Sequence, residues 1–391
     1  MIQLGVSVYP EQETPEDVEA YLSMASKYGF GKVFTSMFSV KGTREEVMGY
    51  FRNFTEIAHK YNMNVSGDCN SEFFERMGAT ERDLSVFKDM GIDRIRMDFS
   101  FQDQRDAILI NNKDNIGIEM STAFIDVIDR AIANGANAEN LSTCHNFYPQ
   151  KYTAPSMEAI RRLNDYWRGK GIRTAIFISS TEQGTHGPWP VSDGLPTIEE
   201  HRTLPIEVQL THCLAMGNVD EILIGNAFAS EEEFKAIRRV MDHAFVTIPV
   251  NDRLGFMKDY VPHGEVKRIP FYVEMEKGVT GLEREILFDF PAHSDLGDCM
   301  YYMLRSRMPR VLYRGKSIPE RKCQKTHYTK GDVVIVNDNL AHYLGEIQVV
   351  LKDIPVDGQR NLLGRIREDE IFILDEIKAG DSFSFIGFRN T

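Results

Sequence analysis

Three acidic residues, Asp68, Asp98 and Glu119, each stand near the C-terminal end of a short strand-like segment that a helical pattern follows. In parallel α/β folds, ligands bind and reactions take place at that end of the strands. Carboxyl groups brought together there can give and take protons during a reaction. The sequence therefore predicts an enzyme, with these three residues as its catalytic candidates.

Alternation within the strands predicts where these side chains point. In the segment around Asp98, apolar residues alternate with Arg96 and Asp98, and the same alternation places Asp68 and Glu119 on the polar face. Successive side chains of a strand point to opposite faces, and the apolar face must meet the helices. Arg96 is then expected one layer below the acids, where it holds a carboxylate ionised. The alternative is an ion-pair network that only braces the fold.

A dense polar and aromatic segment, Cys144-His145-Asn146-Phe147-Tyr148-Pro149, ends the sixth predicted strand. Aromatic faces pack on the C–H groups of sugar rings, so His145, Asn146 and Tyr148 are predicted to bind a sugar. For His145, a hydrogen-bonded core position is the alternative. Weaker binding candidates follow other strands: Tyr9, Glu182 and Asn226.

Eight strand–helix units position these residues. The predicted strands are residues 3–8, 32–38, 64–69, 93–99, 116–121, 141–147, 173–179 and 221–225. Eight units in residues 1–243 match a TIM (β/α)8 barrel, and a doubly wound open sheet is the competing fold. The segment after the seventh strand, residues 181–205, is rich in Gly and Pro and long enough to be functional.

The alternation of strand and helix patterns stops after residue 243, and strand patterns dominate from there. Residues 244–391 are predicted to form a smaller β-rich domain, folded as a small closed barrel. Its predicted strands are residues 266–275, 285–290, 332–336, 346–351, 370–374 and 382–388, with one helix at 297–305.

Composition limits the function. The chain has 391 residues, 42% of them hydrophobic, and a formal net charge of -13. That charge disfavours nucleic acid and anionic membranes as partners. Five scattered cysteines and an N-terminus without a basic leader indicate a reduced, cytoplasmic protein. Neither a metal-binding motif nor a nucleotide-binding motif is present, so no metal and no cofactor are predicted. Nothing in the sequence indicates an oligomeric state.

Several of these motifs resemble one known family. They are Arg96-Met97-Asp98, the Cys144 to Pro149 run, the segment from Gly194 to Arg202, and the run from Tyr343 to Glu346. Together they resemble the 6-phospho-N-acetylmuramidases of glycoside hydrolase family 170, over nearly the whole chain. The resemblance implies a TIM barrel followed by a cyclophilin-like β domain. It also implies cytoplasmic hydrolysis of the bond between 6-phospho-N-acetylmuramic acid and N-acetylglucosamine during cell-wall recycling. Ser100 and the segment Met120 to Thr122 depart from the expected pattern.

Glycoside hydrolysis needs two carboxyl groups across the scissile bond. Asp98 is the expected acid, with Glu119 or Asp68 as its partner, and retention or inversion stays open. Substrate phosphate and carboxylate groups need cations, for which Arg96, Arg202, Arg305 and Arg307 are the candidates. The alternatives to a glycosidase are a sugar-phosphate isomerase or aldolase on the same barrel, and a binding protein without activity.

Overall fold

The structure is a computed structural model that describes residues 2–9, 12–190, 193–250, 254–298 and 301–388. Backbone contacts divide the chain into two units, Met1–Arg238 and Arg239–Thr391. Within the described residues, every helix is too short or too polar to cross a membrane.

The first unit contains a closed parallel barrel of eight strands. The strands are β1 (Gln3–Val8), β2 (Lys32–Ser36), β3 (Asn64–Cys69), β4 (Arg94–Met97), β5 (Gly117–Ser121), β6 (Leu141–Cys144), β7 (Arg173–Ile178) and β8 (Glu221–Ile224). Each strand pairs with the next, and β8 closes the barrel by pairing with β1 through Ile222 and Leu4. The predicted TIM-type barrel is therefore confirmed, and the open sheet is excluded.

Helices follow the strands of the barrel and cover its outer face. They are α1 (Pro15–Lys27), α2 (Arg44–Lys60), α3 (Ser71–Arg76), α4 (Ser85–Asp89), α5 (Arg105–Ile110), α6 (Ile125–Ala133), α7 (Met157–Gly169), α8 (Ile206–Met216) and α9 (Glu231–Ala244). Local chemistry fixes where they begin: Thr14 accepts from the amide of Asp17 ahead of α1, and Thr43 with Glu46 forms a capping box at α2. Short 3-10 turns lie at Ala138–Asn140 and Glu199–His201.

An aromatic layer fills the barrel between its lower charged layer and its mouth. Phe34 of β2 and Phe177 of β7 pack edge to face with ring centroids 5.2 Å apart, and Phe147 packs on both rings. Tyr9 and Leu223 belong to the same buried cluster. The layer closes the bottom of the barrel mouth with a rigid apolar surface.

The second unit contains a mixed, largely antiparallel sheet. Its strands are β9 (Phe245–Ile248), β10 (Gly264–Met275), β11 (Met303–Ser306), β12 (His327–Tyr328), β13 (Asp332–Val336), β14 (Ile347–Val350), β15 (Ile354–Pro355), β16 (Arg360–Ile366) and β17 (Ser382–Phe388). The sheet order is β11-β14-β13-β16-β10-β17, with β9 beside β10, and β12 pairs with β15. Only the β10–β17 pair of this path is parallel. Helices α10 (Gly281–Phe288) and α11 (Pro309–Leu312) and 3-10 segments at Gly255–Met257, Asp338–Tyr343 and Glu368–Glu376 complete the unit.

Four predictions for the second unit are corrected by the structure. The sequence predicts strands at 285–290 and 370–374, but 285–288 form the end of α10 and 370–374 lie in a 3-10 segment. The helix expected at 297–305 gives way to strand β11 in its last part, while Cys299 and Met300 lie outside the described residues. The expected closure into a small barrel is not seen either, since the sheet path of the described residues ends at β11 and β17. The cyclophilin-like likeness stays a prediction.

Candidate active site

A cavity of about 340 Å³ opens at the carboxyl ends of the barrel strands. Acidic, basic and aromatic side chains share its wall: Phe34, Phe38, Asp68, Arg96, Asp98, Asn146, Phe147, Tyr148, Pro149, Phe177 and Trp189. Charged groups against an aromatic floor can hold a sugar ring by its apolar face and act on its polar edge. The predicted residues Asp68, Asp98, Arg96, Asn146 and Tyr148 all meet here.

The buried Arg96 side chain organises the polar half of this cavity. Its Nη1 donates to Asp68 Oδ1 at 2.6 Å, and its Nη2 donates to Asn146 Oδ1. The same Nη1 lies 3.9 Å from Asp98 Oδ1. Strand register explains the arrangement, because Asp68 and Arg96 are direct partners on β3 and β4 and Asp98 follows β4. The guanidinium of Arg96 thus brings two carboxyl groups and one amide together at the cavity wall.

The two carboxyl groups differ in their surroundings. The side chain of Asp68 is 14% exposed, whereas that of Asp98 is 52% exposed. Burial raises the pKa of Asp68 above its ordinary value, although Arg96 pulls it in the other direction. Arg96 was expected one layer below the acids; it precedes Asp98 on its strand but is the direct partner of Asp68 across the strand pair. Its charge does not offset the burial of Asp68. A carboxyl group with a raised pKa is suited to donating a proton.

Glu119 lies deeper than the sequence predicted. It occupies the middle of β5, its side chain is fully buried, and its Oε2 accepts from Lys32 Nζ at 2.9 Å. Lys32 Nζ also donates to Glu221 Oε2 at 2.6 Å. Burial alone would raise the pKa of Glu119, but Lys32 with Arg94 and Arg96 lowers it below its ordinary value. Glu119 therefore belongs to a sealed ionic layer and does not line the cavity.

Comparisons with known proteins identify the family. The N-terminal model of the 6-phospho-N-acetylmuramidases matches residues 4–239, and the C-terminal model of the same family matches residues 269–386. The chain belongs to the 6-phospho-N-acetylmuramidase family. It is therefore a glycosidase, and its family acts on a phosphorylated sugar.

Two solved structures resemble this chain along almost their full length. An uncharacterised protein from B. cereus is 33% identical with a TM-score of 0.84, and the match covers 99% of this chain and 100% of that one. A conserved protein of unknown function from Enterococcus faecalis is 23% identical with a TM-score of 0.68, covering 98% and 96% of the two chains. The second likeness shows the fold alone. No curated protein matches the sequence.

Three predicted binding residues are buried beside the cavity and are not part of its lining. His145 bonds Thr122 Oγ1 at 2.9 Å and Asn164 Oδ1 at 2.7 Å through its two ring nitrogens, and burial lowers its pKa to about 4. The hydroxyl of Tyr9 donates to the Gly225 carbonyl at 2.5 Å. Asn226 Oδ1 accepts from Ser179 Oγ at 2.9 Å.

Arg202 holds the long loop that forms one side of the cavity. Its guanidinium makes two bonds to Glu199, at 2.6 and 2.7 Å, and donates to the carbonyls of Tyr148 and Asp193 at 2.9 Å. The bonds from Arg202 hold the pKa of Glu199 at about 2. Arg202 therefore holds the backbone of Tyr148 and is not among the residues that line the cavity.

The remaining two predicted binding residues lie elsewhere. Glu182 is exposed after β7 and is not among the lining residues. Arg305 lies on β11 of the second unit, bonded to Glu346. Within the described ranges, no group of three or more His, Cys, Asp or Glu side chains is placed to hold a metal ion.

The sequence reasoning missed the aromatic half of the site. Phe34, Phe38, Phe177 and Trp189 line the cavity, and none of them was a predicted binding residue. The signal for Trp189 was available, because a large aromatic residue in the Gly- and Pro-rich segment 181–205 is out of place unless it packs on something. Its side chain is 48% exposed and its ring centroid lies 6.2 Å from that of Phe147.

Proposed function

We propose that this chain hydrolyses the glycosidic bond between 6-phospho-N-acetylmuramic acid and N-acetylglucosamine, in the cytoplasm, during recycling of cell-wall fragments. The observation that carries the proposal is the pair of carboxyl groups, Asp68 and Asp98, placed on one guanidinium above an aromatic floor. The choice of sugar in this proposal is supported by membership in the 6-phospho-N-acetylmuramidase family.

Within this proposal Asp68 is the proton donor and Asp98 its partner. Burial raises the pKa of Asp68, so the carboxyl group keeps its proton to higher pH than an exposed aspartate does. Asp98 is more exposed and faces the same cavity, so it can act on the anomeric carbon or orient the acetamido group. This assignment reverses the roles expected from sequence, because the depth of each side chain is known only from the fold.

The spacing of the pair favours retention of the anomeric configuration. Asp68 Oδ1 lies 2.6 Å and Asp98 Oδ1 3.9 Å from the same Arg96 nitrogen. The two carboxylate oxygens therefore cannot be farther apart than the sum of these two distances. Inverting glycosidases place their carboxyl groups about 6.5–9.5 Å apart, and retaining ones about 5–5.5 Å apart. Proton NMR of the freshly released sugar is expected to show the anomer of the substrate, and the opposite anomer would overturn this assignment.

The substrate itself is tested by comparing two disaccharides that differ only in the 6-phosphate. Family membership supplies the phosphate, and Arg96 is the basic residue among those that line the cavity. Arginine is suited to phosphate through its planar fork. We expect the unphosphorylated disaccharide to lose at least ~2 kcal/mol in kcat/KM, as for a charged group left without its partner. Equal release of N-acetylglucosamine from both would reject the phosphorylated substrate.

A further inference from the structure

The second unit contains a cavity of about 550 Å³ whose wall combines tyrosines with arginines. The residues that matter are Tyr301, Tyr302, Tyr343, Arg305, Gln348 and Arg360, and we refer to them as the tyrosine–arginine pocket. Tyr301, Tyr302 and Tyr343 are 67%, 52% and 36% exposed and lie together at one cavity. Exposed aromatic rings that line one cavity are typical of a ligand-binding site.

A buried carboxylate fixes the polar side of the pocket. Glu346 is fully buried, and its oxygens accept from Arg305 at 2.7 Å, from Arg310 at 2.9 Å and from Gln348 at 3.2 Å. Gln348 in turn accepts from Arg360 Nε at 2.8 Å. The donors are thus held in place before any ligand arrives, so little side-chain entropy is lost on binding.

The charges of the pocket do not cancel. Two guanidinium groups, Arg305 and Arg310, share the single carboxylate of Glu346, and Arg360 is matched by Asp357. One positive charge is left over in a chain whose net charge is -13. A local excess of positive charge against that background favours an anionic ligand.

The aromatic side of the pocket is suited to a sugar ring. The rings of Tyr301 and Tyr302 stand at 81° with centroids 5.0 Å apart, and Lys352 Nζ lies 3.2 Å from the Tyr301 ring centroid. Tyr302 therefore presents the freer aromatic surface, beside arginines that bind carboxylate or phosphate through a planar fork. We propose that the tyrosine–arginine pocket is a second saccharide site, specific for a sugar that bears a carboxylate or a phosphate. The choice of sugar rests on the proposed function, and the pocket itself does not.

The test uses sugars that the enzyme cannot cleave, titrated into the full chain by calorimetry. N-acetylmuramic acid carries the carboxylate, N-acetylglucosamine 6-phosphate carries the phosphate, and N-acetylglucosamine carries neither. We expect the anionic sugars to bind at two sites per chain and at least tenfold more tightly than the neutral one. Arg305→Gln should reduce that preference about tenfold.

Paired variants separate the two sites. Tyr302→Ala should abolish one site, Trp189→Ala should weaken the other, and Tyr260→Ala is the matched control, an exposed tyrosine of the second unit outside the pocket. A single site that both Tyr302→Ala and Trp189→Ala weaken would overturn the inference, because the pocket would then belong to the hydrolytic site. Titration unaffected by Tyr302→Ala would overturn it as well, and so would tighter binding of adenosine monophosphate than of any sugar.

The outcome can be told apart from failure of the proposed function. If the disaccharide is not hydrolysed but a site sensitive to Tyr302→Ala and insensitive to Trp189→Ala binds anionic sugars, the second site holds and the substrate assignment fails. If the disaccharide is hydrolysed and Tyr302→Ala changes no binding, the substrate assignment holds and the second site fails.

Discussion

Two charged layers inside the barrel each contain one cation and two acids, and they differ in what surrounds them. In the lower layer, Lys32 lies between Glu119 and Glu221, and all three side chains are sealed from solvent. In the upper layer, Arg96 lies between Asp68 and Asp98, and the second acid is half exposed in a cavity. A sealed ion pair can only brace the fold, whereas an open one can reach a ligand. Depth, more than residue type, separates the two roles.

The largest expected effect follows from breaking the lower layer. Lys32→Met leaves Glu119 and Glu221 buried without their shared cation, which should destabilise the barrel by about 3–5 kcal/mol. Urea unfolding followed by tryptophan fluorescence reports on the barrel alone, since the two tryptophans are Trp167 and Trp189.

The control for that variant is Lys235→Met on α9, which removes an exposed cation paired with Glu232. Exposed pairs contribute about 0–1 kcal/mol, so little change is expected. If both variants unfold at the same urea concentration, the lower layer does not stabilise the barrel.

Breaking the upper layer should affect turnover far more than stability, and Asp98→Asn, whose side chain is 52% exposed, should change stability least. Asp98→Asn and Asp68→Asn are each expected to lower kcat about a hundredfold or more, as for the loss of an acid or of its partner. The matched control is Asp103→Asn, an exposed aspartate in the loop after β4 that pairs with Arg105. Near-normal kcat in Asp98→Asn with an unchanged unfolding curve would remove that residue from the reaction.

Sequence predicted the upper layer better than the lower one. Strand alternation is a local property, so it placed Arg96 and Asp68 on one face correctly. The depth of Glu119 depends on the stagger between strands when the barrel closes, and no single strand encodes it. Trp189 was not predicted as a binding residue, because its position depends on how the long loop after β7 folds back over the barrel. Residues 285–290 were misread because a short apolar run suits either a strand or a helix, although Thr280 and Glu283 form the capping box that begins α10.

The pH dependence of kcat/KM sharpens the comparison by separating Asp68 from Asp98. A raised pKa means that Asp68 keeps its proton to higher pH, so activity that needs the proton is present below that pKa and is lost as pH rises through it. We expect the alkaline limb of the profile to lie above the ordinary range of an aspartate. The limb should disappear from the residual activity of Asp68→Asn and persist in that of Asp98→Asn. The opposite pattern would exchange the two roles.

The smallest expected effect concerns the aromatic wall of the upper layer. Trp189 is half exposed at the cavity and packs near Phe147, so it can lie against the apolar face of a sugar ring. Trp189→Ala should raise KM about tenfold with a smaller change in kcat, because such packing is made in the ground state as well as in the transition state. Trp189→Phe keeps a ring and should recover part of the loss.

The matched control is Tyr152→Ala, a fully exposed aromatic residue after β6 that does not line the cavity. Steady-state kinetics of the three variants on one substrate decide the matter: an unchanged KM in Trp189→Ala would mean that the aromatic wall does not contact the sugar.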